Sequence, residues 1–337
     1  MIEAHFGESS AYSLGVEEEL MILDAETLEP TAGVGAIVRE AEGLDLPGTL
    51  KTELHASVVE LNTNVCADVA EATAALRELR AAAIRIAGEN GLAIAAAGAH
   101  PTAVLESLPV VQEERYLQMI ETVGRAARRQ GVSGLHVHVG VESADRCYER
   151  LESVLPWLPV VLALSVNSPF VDGATTGMLS NRVGILAELP RAGAPPEFRD
   201  YAEWETWIEH LVELGVIEDH TRVWWDVRPH PRLGTLEIRI ADQPTALERT
   251  ALITDVLRTL VAEAAPRRAD RGHYLQNRFA ASYRGLDAEL IHPDGDRLVS
   301  ARELARELLG AEPPEPEAFA QLAASDVAAD LVARTVA

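Results

Sequence analysis

Lysine is nearly missing from this 337-residue chain: Lys51 is the single one, and every other basic residue is an arginine. The 29 basic residues face 53 acidic ones, for a net charge of −24. No basic stripe is available to follow a phosphate backbone, which argues against a nucleic-acid partner, and so acidic a surface is repelled by anionic membranes. Cysteine is scarce too. Cys66 and Cys147 cannot build a disulfide framework, which fits a reducing compartment. Long apolar runs are missing: the longest, 158–166, is nine residues and is interrupted by Pro159. A membrane-crossing helix needs about 20. The first ten residues show neither the basic nor the apolar stretch of a signal peptide. The expectation is a cytoplasmic protein without a membrane partner.

Several familiar motifs are also missing. Gly43 and Gly48 have P-loop spacing, but Thr49 stands where the lysine should be. Gly33 and Gly35 begin a dinucleotide motif that Val38 does not finish. There is no GxSxG nucleophile elbow, and neither cysteine has a catalytic setting.

What is present is a globular composition, 47% hydrophobic and 24% charged. Strand and helix patterns alternate without a fixed repeat. Strands are expected at 13–24, 57–63, 92–97, 134–141, 223–228 and 235–241. Helices are expected at 68–90, 113–130, 145–166 (divided by Pro156 and Pro159), 199–214 and 247–264. Several strands carry one apolar and one polar face, which suits an antiparallel sheet covered by helices on one side. The reading is α+β, one domain over 1–337, with an acidic helical annex at 313–337.

The polar faces carry the chemistry. Residues two apart on a strand share a face, so Glu17 and Glu19 point one way, about 7 Å apart. Like charges that close are costly without a cation. His136 and His138 repeat the pattern, with Leu135, Val137 and Val139 opposite. Glu237 and Arg239 share a face with Thr235, and Glu60 shares one with Asn62, with Glu53 on the approach. Each feature alone has a plain structural reading: an exposed acidic edge, a surface histidine pair, a cross-strand ion pair. If those faces line one concave surface, it holds at least five carboxylates, Glu17, Glu19, Glu53, Glu60 and Glu237. Oxygen-rich donors favour Mg²⁺ or Mn²⁺ over Zn²⁺, and carboxylate-held Mg²⁺ beside arginine is what phosphoryl transfer from ATP requires.

Eight motifs then occur in order: GVEEEL (15–20), TELHASVVELNTNV (52–65), GAHP (98–101), GLHVHVG (134–140), NSPF (167–170), TGMLSNR (176–182), WWDVRPHPRLGTLEIRIAD (224–242) and YRGLDA (283–288). Together they resemble the glutamate–cysteine ligase type 2 family, ATP-dependent carboxylate–amine ligases of bacteria and archaea, over roughly residues 12 to 310. The resemblance implies a fold like the catalytic domain of glutamine synthetase, a curved antiparallel sheet forming a funnel with ATP and metal ions on its inner face. It implies Glu17, Glu19, Glu53, Glu60, His136 and Glu237 as ligands of Mg²⁺ or Mn²⁺. Arg239, Glu237 and Glu60 would be catalytic, with Arg239 on the transferred phosphoryl group. Arg182, Arg228 and His138 would hold substrate. Ser133 stands where family members often carry cysteine, and Trp224 and Trp225 are expected to pack.

The implied reaction joins glutamate and cysteine at the expense of ATP, through an acyl phosphate, to give γ-glutamylcysteine, ADP and phosphate. Three other readings stay open from sequence: the same chemistry on another carboxylate or amine, a Zn²⁺ hydrolase built on His136 and His138, and a silent binding protein. Self-association into a homo-oligomer is also left open.

Overall fold

The computed structural model describes residues 2–317 and 324–336. Its centre is a seven-stranded sheet made of β1 (Leu14–Asp24), β2 (Gly48–Thr52), β3 (Val58–Thr63), β4 (Leu92–Ala95), β5 (Gly134–Gly140), β6 (Val227–His230) and β7 (Thr235–Asp242). The order is β6–β7–β5–β1–β3–β2, every pairing is antiparallel, and the sheet is open. β1 is long enough to serve three partners. Met21 pairs with both Val58 and Ala95, so β4 takes up the edge of β1 beyond the end of β5.

Alternation decides the two faces. Leu14, Val16, Leu20 and Ile22 of β1, Leu135, Val137 and Val139 of β5, and Leu236, Ile238 and Ile240 of β7 are all buried. The helices Val69–Glu89, Leu158–Ser165 and Leu247–Glu263 cover them, and every residue of Leu158–Ser165 is buried. Truncating a core leucine here, such as Leu236, costs about 2–5 kcal/mol on general grounds. Glu18 interrupts the apolar row. It is fully buried and held by Arg80, whose Nε and Nη2 donate to its two oxygens at 2.6 and 2.7 Å, while Thr250 and Gln243 donate as well. A buried carboxylate persists only with such partners.

Prolines and glycines cut several expected elements short. The 113–130 helix ends at Val123 because Gly124 turns with φ +69°, and only a four-residue turn, Arg125–Arg128, follows. The 145–166 helix is two, Ala144–Val154 and Leu158–Ser165, joined by a tight turn that contains Pro156. The strand expected at 223–228 is divided at Asp226. Trp224–Trp225 pairs with Ala192–Gly193 in a separate small sheet, whereas Val227–His230 joins the main one. Trp225 is buried and stacks on Trp207. The helices Val34–Ala41, Arg271–Arg284 and Ala301–Leu309 had not been anticipated.

Of the stretch 313–337, residues 318–323 and 337 lie outside the described residues. The helix Ala324–Val336 sets Val327 and Leu331 against Met21, Leu23, Ala95 and Ala97. Met21 and Leu23 continue the face that carries Glu17 and Glu19, so this helix closes one end of that face. Among the described residues no helix is long and apolar enough to cross a membrane.

Candidate active site

Register places the polar side chains in rows across the sheet. Arg228, Glu237, His138 and Gly15 are successive partners from β6 to β1. In the next row His136, Glu17 and Asn62 are partners, and in the third Glu19, Glu60 and Lys51. Glu53 lies in the bend between β2 and β3. That bend is tied to the neighbouring helix Glu114–Val123, where the Tyr116 hydroxyl donates to the Thr52 carbonyl at 2.8 Å and the Thr52 hydroxyl to Glu113 at 2.7 Å.

Two clusters of donor atoms result, each with all its atoms within 4.8 Å of one another: Glu17, His138 and Glu237, and Glu19, Glu53 and Glu60. The donors are five carboxylates and one imidazole. His138 Nε2 is buried and faces Glu17 Oε1 at 3.4 Å. Carboxylates crowded around an imidazole nitrogen fit hard divalent cations such as Mg²⁺ or Mn²⁺.

Charge is distributed unevenly between the clusters. Burial opposes ionisation of Glu237, yet Arg228 and Arg239 hold its carboxyl well below the usual range. Glu17 is likewise held well below that range against its burial, by His138 and His136. Burial would lower His138, but the Glu17 carboxylate raises it. In the other cluster His136 stands 3.8 Å from Glu19, while among the described residues Glu53 and Glu60 form no ion pair with a basic side chain. Burial and then repulsion from Glu17, Glu53 and Glu19 push Glu60 well above the carboxylate range, and burial followed by Glu19 pushes Glu53 up to about 7. Separating these carboxylates from their protons at neutral pH needs added positive charge.

The contacts of four expected site residues, His136, His138, Arg228 and Arg182, set them apart from one another. His136, expected to ligate metal, sits among four side chains. Nδ1 faces Glu17 at 3.2 Å and Arg239 at 3.3 Å, and Nε2 faces Glu19 at 3.8 Å and Arg182 at 3.4 Å. A cation there would sit against two guanidinium groups. His138, expected to hold substrate, lies with Glu17 and Glu237 in the first cluster. Arg228, expected to anchor a substrate carboxylate, is spent inside the protein: Nε and Nη2 donate to Glu237 at 2.6 and 3.0 Å, and Nη1 to the carbonyls of Thr221 and Val223.

Arg182 is similarly buried, 2% exposed, beneath the site. It donates to the carbonyls of Arg239 and Ile240 and passes under Gly134, where a Cβ would stand 2.0 Å from its Nη2. Arg239 is the arginine of the three that reaches the open face, with its side chain 19% exposed against 6% for Arg228. Its Nη1 donates to Glu237 Oε1 at 2.5 Å. Asn62 and Gln243 are parts the sequence reading had given no role. The Asn62 amide donates to Glu17 at 2.9 Å, and Gln243 ties the Glu19 amide to buried Glu18. The Asn62 signal was its place two residues from Glu60; Gln243 left none.

The family model for glutamate–cysteine ligase family 2 matches residues 13–329. A Rubrobacter xylanophilus protein named "Putative glutamate--cysteine ligase 2-1" is 40% identical over 304 residues, covering 88% of this chain and 81% of that one. A Solibacter usitatus protein named "Putative glutamate--cysteine ligase 2" is 34% identical over 305 residues, covering 88% and 79%. Among solved structures, a glutamate–cysteine ligase from Francisella tularensis in complex with AMP superposes with TM-score 0.62 at 13% identity, over 97% of this chain and 84% of that one. A bifunctional glutathione synthetase from Pasteurella multocida gives 0.63 at 16%, over 97% and 49%. At those identities the two structures establish the fold alone. The match along 13–329, with relatives at 34–40% identity, establishes more: this chain is a ligase belonging to glutamate–cysteine ligase family 2.

Proposed function

We propose that this protein is an ATP-dependent carboxylate–amine ligase whose preferred substrates are glutamate and cysteine. The observation that carries the reading is the pair of carboxylate-rich clusters on one sheet face with the Arg239 guanidinium at their edge. The AMP bound to the Francisella ligase supports a nucleotide on the equivalent fold. A Zn²⁺ hydrolase built on His136 and His138 loses support, because the family and its relatives are ligases.

In this reading Glu17, His138 and Glu237 hold one divalent ion, and Glu19, Glu53 and Glu60 hold another. Bound there, Mg²⁺ or Mn²⁺ offsets the charge of the triphosphate. A carboxylate is a poor electrophile, so the γ-carboxylate oxygen of glutamate first attacks the γ-phosphorus of ATP. The bond to ADP breaks and an acyl phosphate forms. The cysteine nitrogen then attacks the acyl carbon, phosphate departs, and the ammonium gives up its proton to complete γ-glutamylcysteine.

Arg239 is placed to stabilise the phosphoryl oxygens through its planar fork of donors. Arg228 acts through Glu237, which it holds by two hydrogen bonds, and Arg182 acts through His136. Neither is open to substrate. Glu60 and Glu237 are catalytic in the sense that their charge fixes the ions on which phosphoryl transfer depends.

The test is ADP release from ATP and Mg²⁺ across a panel of carboxylates and amines. Release that requires both glutamate and cysteine is the expected result. Release with a different pair keeps the ligase and discards the cysteine assignment. No release with any pair overturns the proposal.

A further inference from the structure

The helix Glu114–Val123 and the strand Trp224–Trp225 border a cavity of about 230 Å³ that lies apart from both carboxylate clusters. Each wall is fastened to the candidate active site. The helix is tied through the Tyr116 hydroxyl to the Thr52 carbonyl, next to Glu53. The strand leads into Asp226, whose carbonyl accepts the Arg239 amide. Met119, Val123, Ile217 and Trp224 give the cavity apolar walls, and Arg191 brings a cation to them. The volume is below that of sites for drug-sized molecules and suits one amino acid or a small organic acid.

Arg191 is the unusual part. Its backbone is left-handed, φ +58°, a conformation that a residue other than glycine keeps only where its surroundings hold it. Here its carbonyl accepts the Trp224 amide at 2.9 Å, and its Nε donates to the Arg222 carbonyl at 3.2 Å. The guanidinium is thereby set over the Trp224 ring, 5.7 Å from the centroid. Among the described residues Arg191 forms no ion pair, and burial lowers its pKa with no carboxylate near enough to raise it. Glu218, the acidic residue of the wall, is taken by Arg222, whose Nε and Nη2 donate to it at 3.1 and 2.5 Å. Arg191 and Arg222 against Glu218 leave this wall positive in a chain of net charge −24. A half-buried guanidinium with an open forked edge, lying on an indole, is a receptor for a carboxylate.

We propose that this cavity binds a small organic carboxylate with an apolar body: Arg191 takes the carboxylate in a forked pair, and Trp224, Met119 and Ile217 cover the apolar part. Free phosphate is a poorer match, because it leaves those apolar walls uncovered. Two sources supply the same chemistry, the carboxylate of the amine substrate or a separate acid, and the experiment distinguishes them. The cavity and its ligand class stand without the ligase reading.

The experiment is calorimetric titration of the full chain, without nucleotide or metal, with phenylacetate, leucine and cysteine, and with phenylacetamide as the counterpart lacking a carboxylate. Wild type is compared with Arg191→Asn, since asparagine tolerates the left-handed backbone, and circular dichroism verifies folding. Wild type should bind phenylacetate in the millimolar range. Phenylacetamide should bind about 10–100-fold more weakly, and Arg191→Asn should lose phenylacetate affinity by a similar factor. Wild type binding none of the acids, phenylacetamide binding as tightly as phenylacetate, or Arg191→Asn binding like wild type overturns the inference. Steady-state kinetics then separate the sources. A raised KM for cysteine at unchanged kcat in Arg191→Asn supports the inference with the amine substrate as ligand. An unchanged KM beside lost phenylacetate binding supports it with a separate acid. Should Arg191→Asn not fold, Val216→Glu, at an exposed residue of the same wall, sets a carboxylate in the cavity: weakened phenylacetate binding supports the inference and unchanged binding overturns it.

Discussion

The two ends of the candidate site solve the same electrostatic problem differently. At the β6–β7 end, Glu237 and Glu17 are surrounded by Arg228, Arg239, His136 and His138, and both carboxyls are held well below their ordinary range. At the β2–β3 end, Glu53 and Glu60 have acidic neighbours and both are pushed up. The first end is balanced by the protein itself. The second is left short of positive charge, a shortfall that the divalent ion of the proposed function would remove. Preorganised carboxylates that repel one another weaken the metal-free fold and strengthen the hold on a cation, so stability and function draw on the same residues in opposite directions.

The strongest way to break the comparison is to remove one carboxylate from each end. Glu237→Gln leaves Arg228 buried with no counter-charge, and the cost expected is about 3–5 kcal/mol in urea denaturation together with loss of turnover. Glu60→Gln should also abolish turnover, yet the metal-free protein should melt at a higher temperature than wild type, because the cost of burying a carboxyl among Glu17, Glu53 and Glu19 has gone. A Glu60→Gln protein that is destabilised without metal would mean that the two ends are electrostatically alike.

Arg239→Lys comes next. It keeps the charge but loses the planar fork, and a fall in kcat of about 10²–10³-fold with little change in melting temperature is expected. The contrast is Arg228→Lys, which should reduce stability and divalent-cation affinity together, because it loosens Glu237.

A smaller effect follows from pH. Glu53 titrates near 7 in the fold and in the ordinary carboxylate range when unfolded. The folded state therefore binds the extra proton between those values. Its contribution to stability is full below the unfolded value and is lost as pH rises through about 7. Metal-free protein should accordingly lose melting temperature toward pH 8, and the gain on adding Mg²⁺ should be larger at about pH 8 than at about pH 6. Equal Mg²⁺ gains at both values would separate Glu53 from the cation site.

Much of this arrangement was legible in the sequence because a strand has a period of two. EEE in β1, HVH in β5 and LEIRI in β7 declare which residues share a face, and the antiparallel sheet brought those faces together. What alternation cannot tell is how two residues on the same face divide their roles. His136 and His138 are equivalent by pattern. They differ because Arg182, from the segment after NSPF, reaches under Gly134 to one ring, while Thr235 reaches the other.

Arg228 and Arg239 were likewise interchangeable in the sequence. The register of β7 against β5 shifts between Ile238 and Ala241, and Arg239 falls within that irregularity, while on its other side its amide continues the β6 register by donating to the Asp226 carbonyl. Arg228, opposite Glu237, is pinned by two hydrogen bonds to it, while the Arg239 side chain is the more exposed of the two. Glu18 was visible as a charge on an apolar face, but its partner Arg80 lies 62 residues along the chain, and no local pattern could pair them.

The most direct test of this contrast counts bound ions. Mn²⁺ binding to wild type and to Glu60→Gln, each with a non-hydrolysable ATP analogue, should give two ions per wild-type chain and one per variant chain, with the remaining ion bound as tightly as before. The same number of ions in both proteins, or none in wild type, would contradict the account.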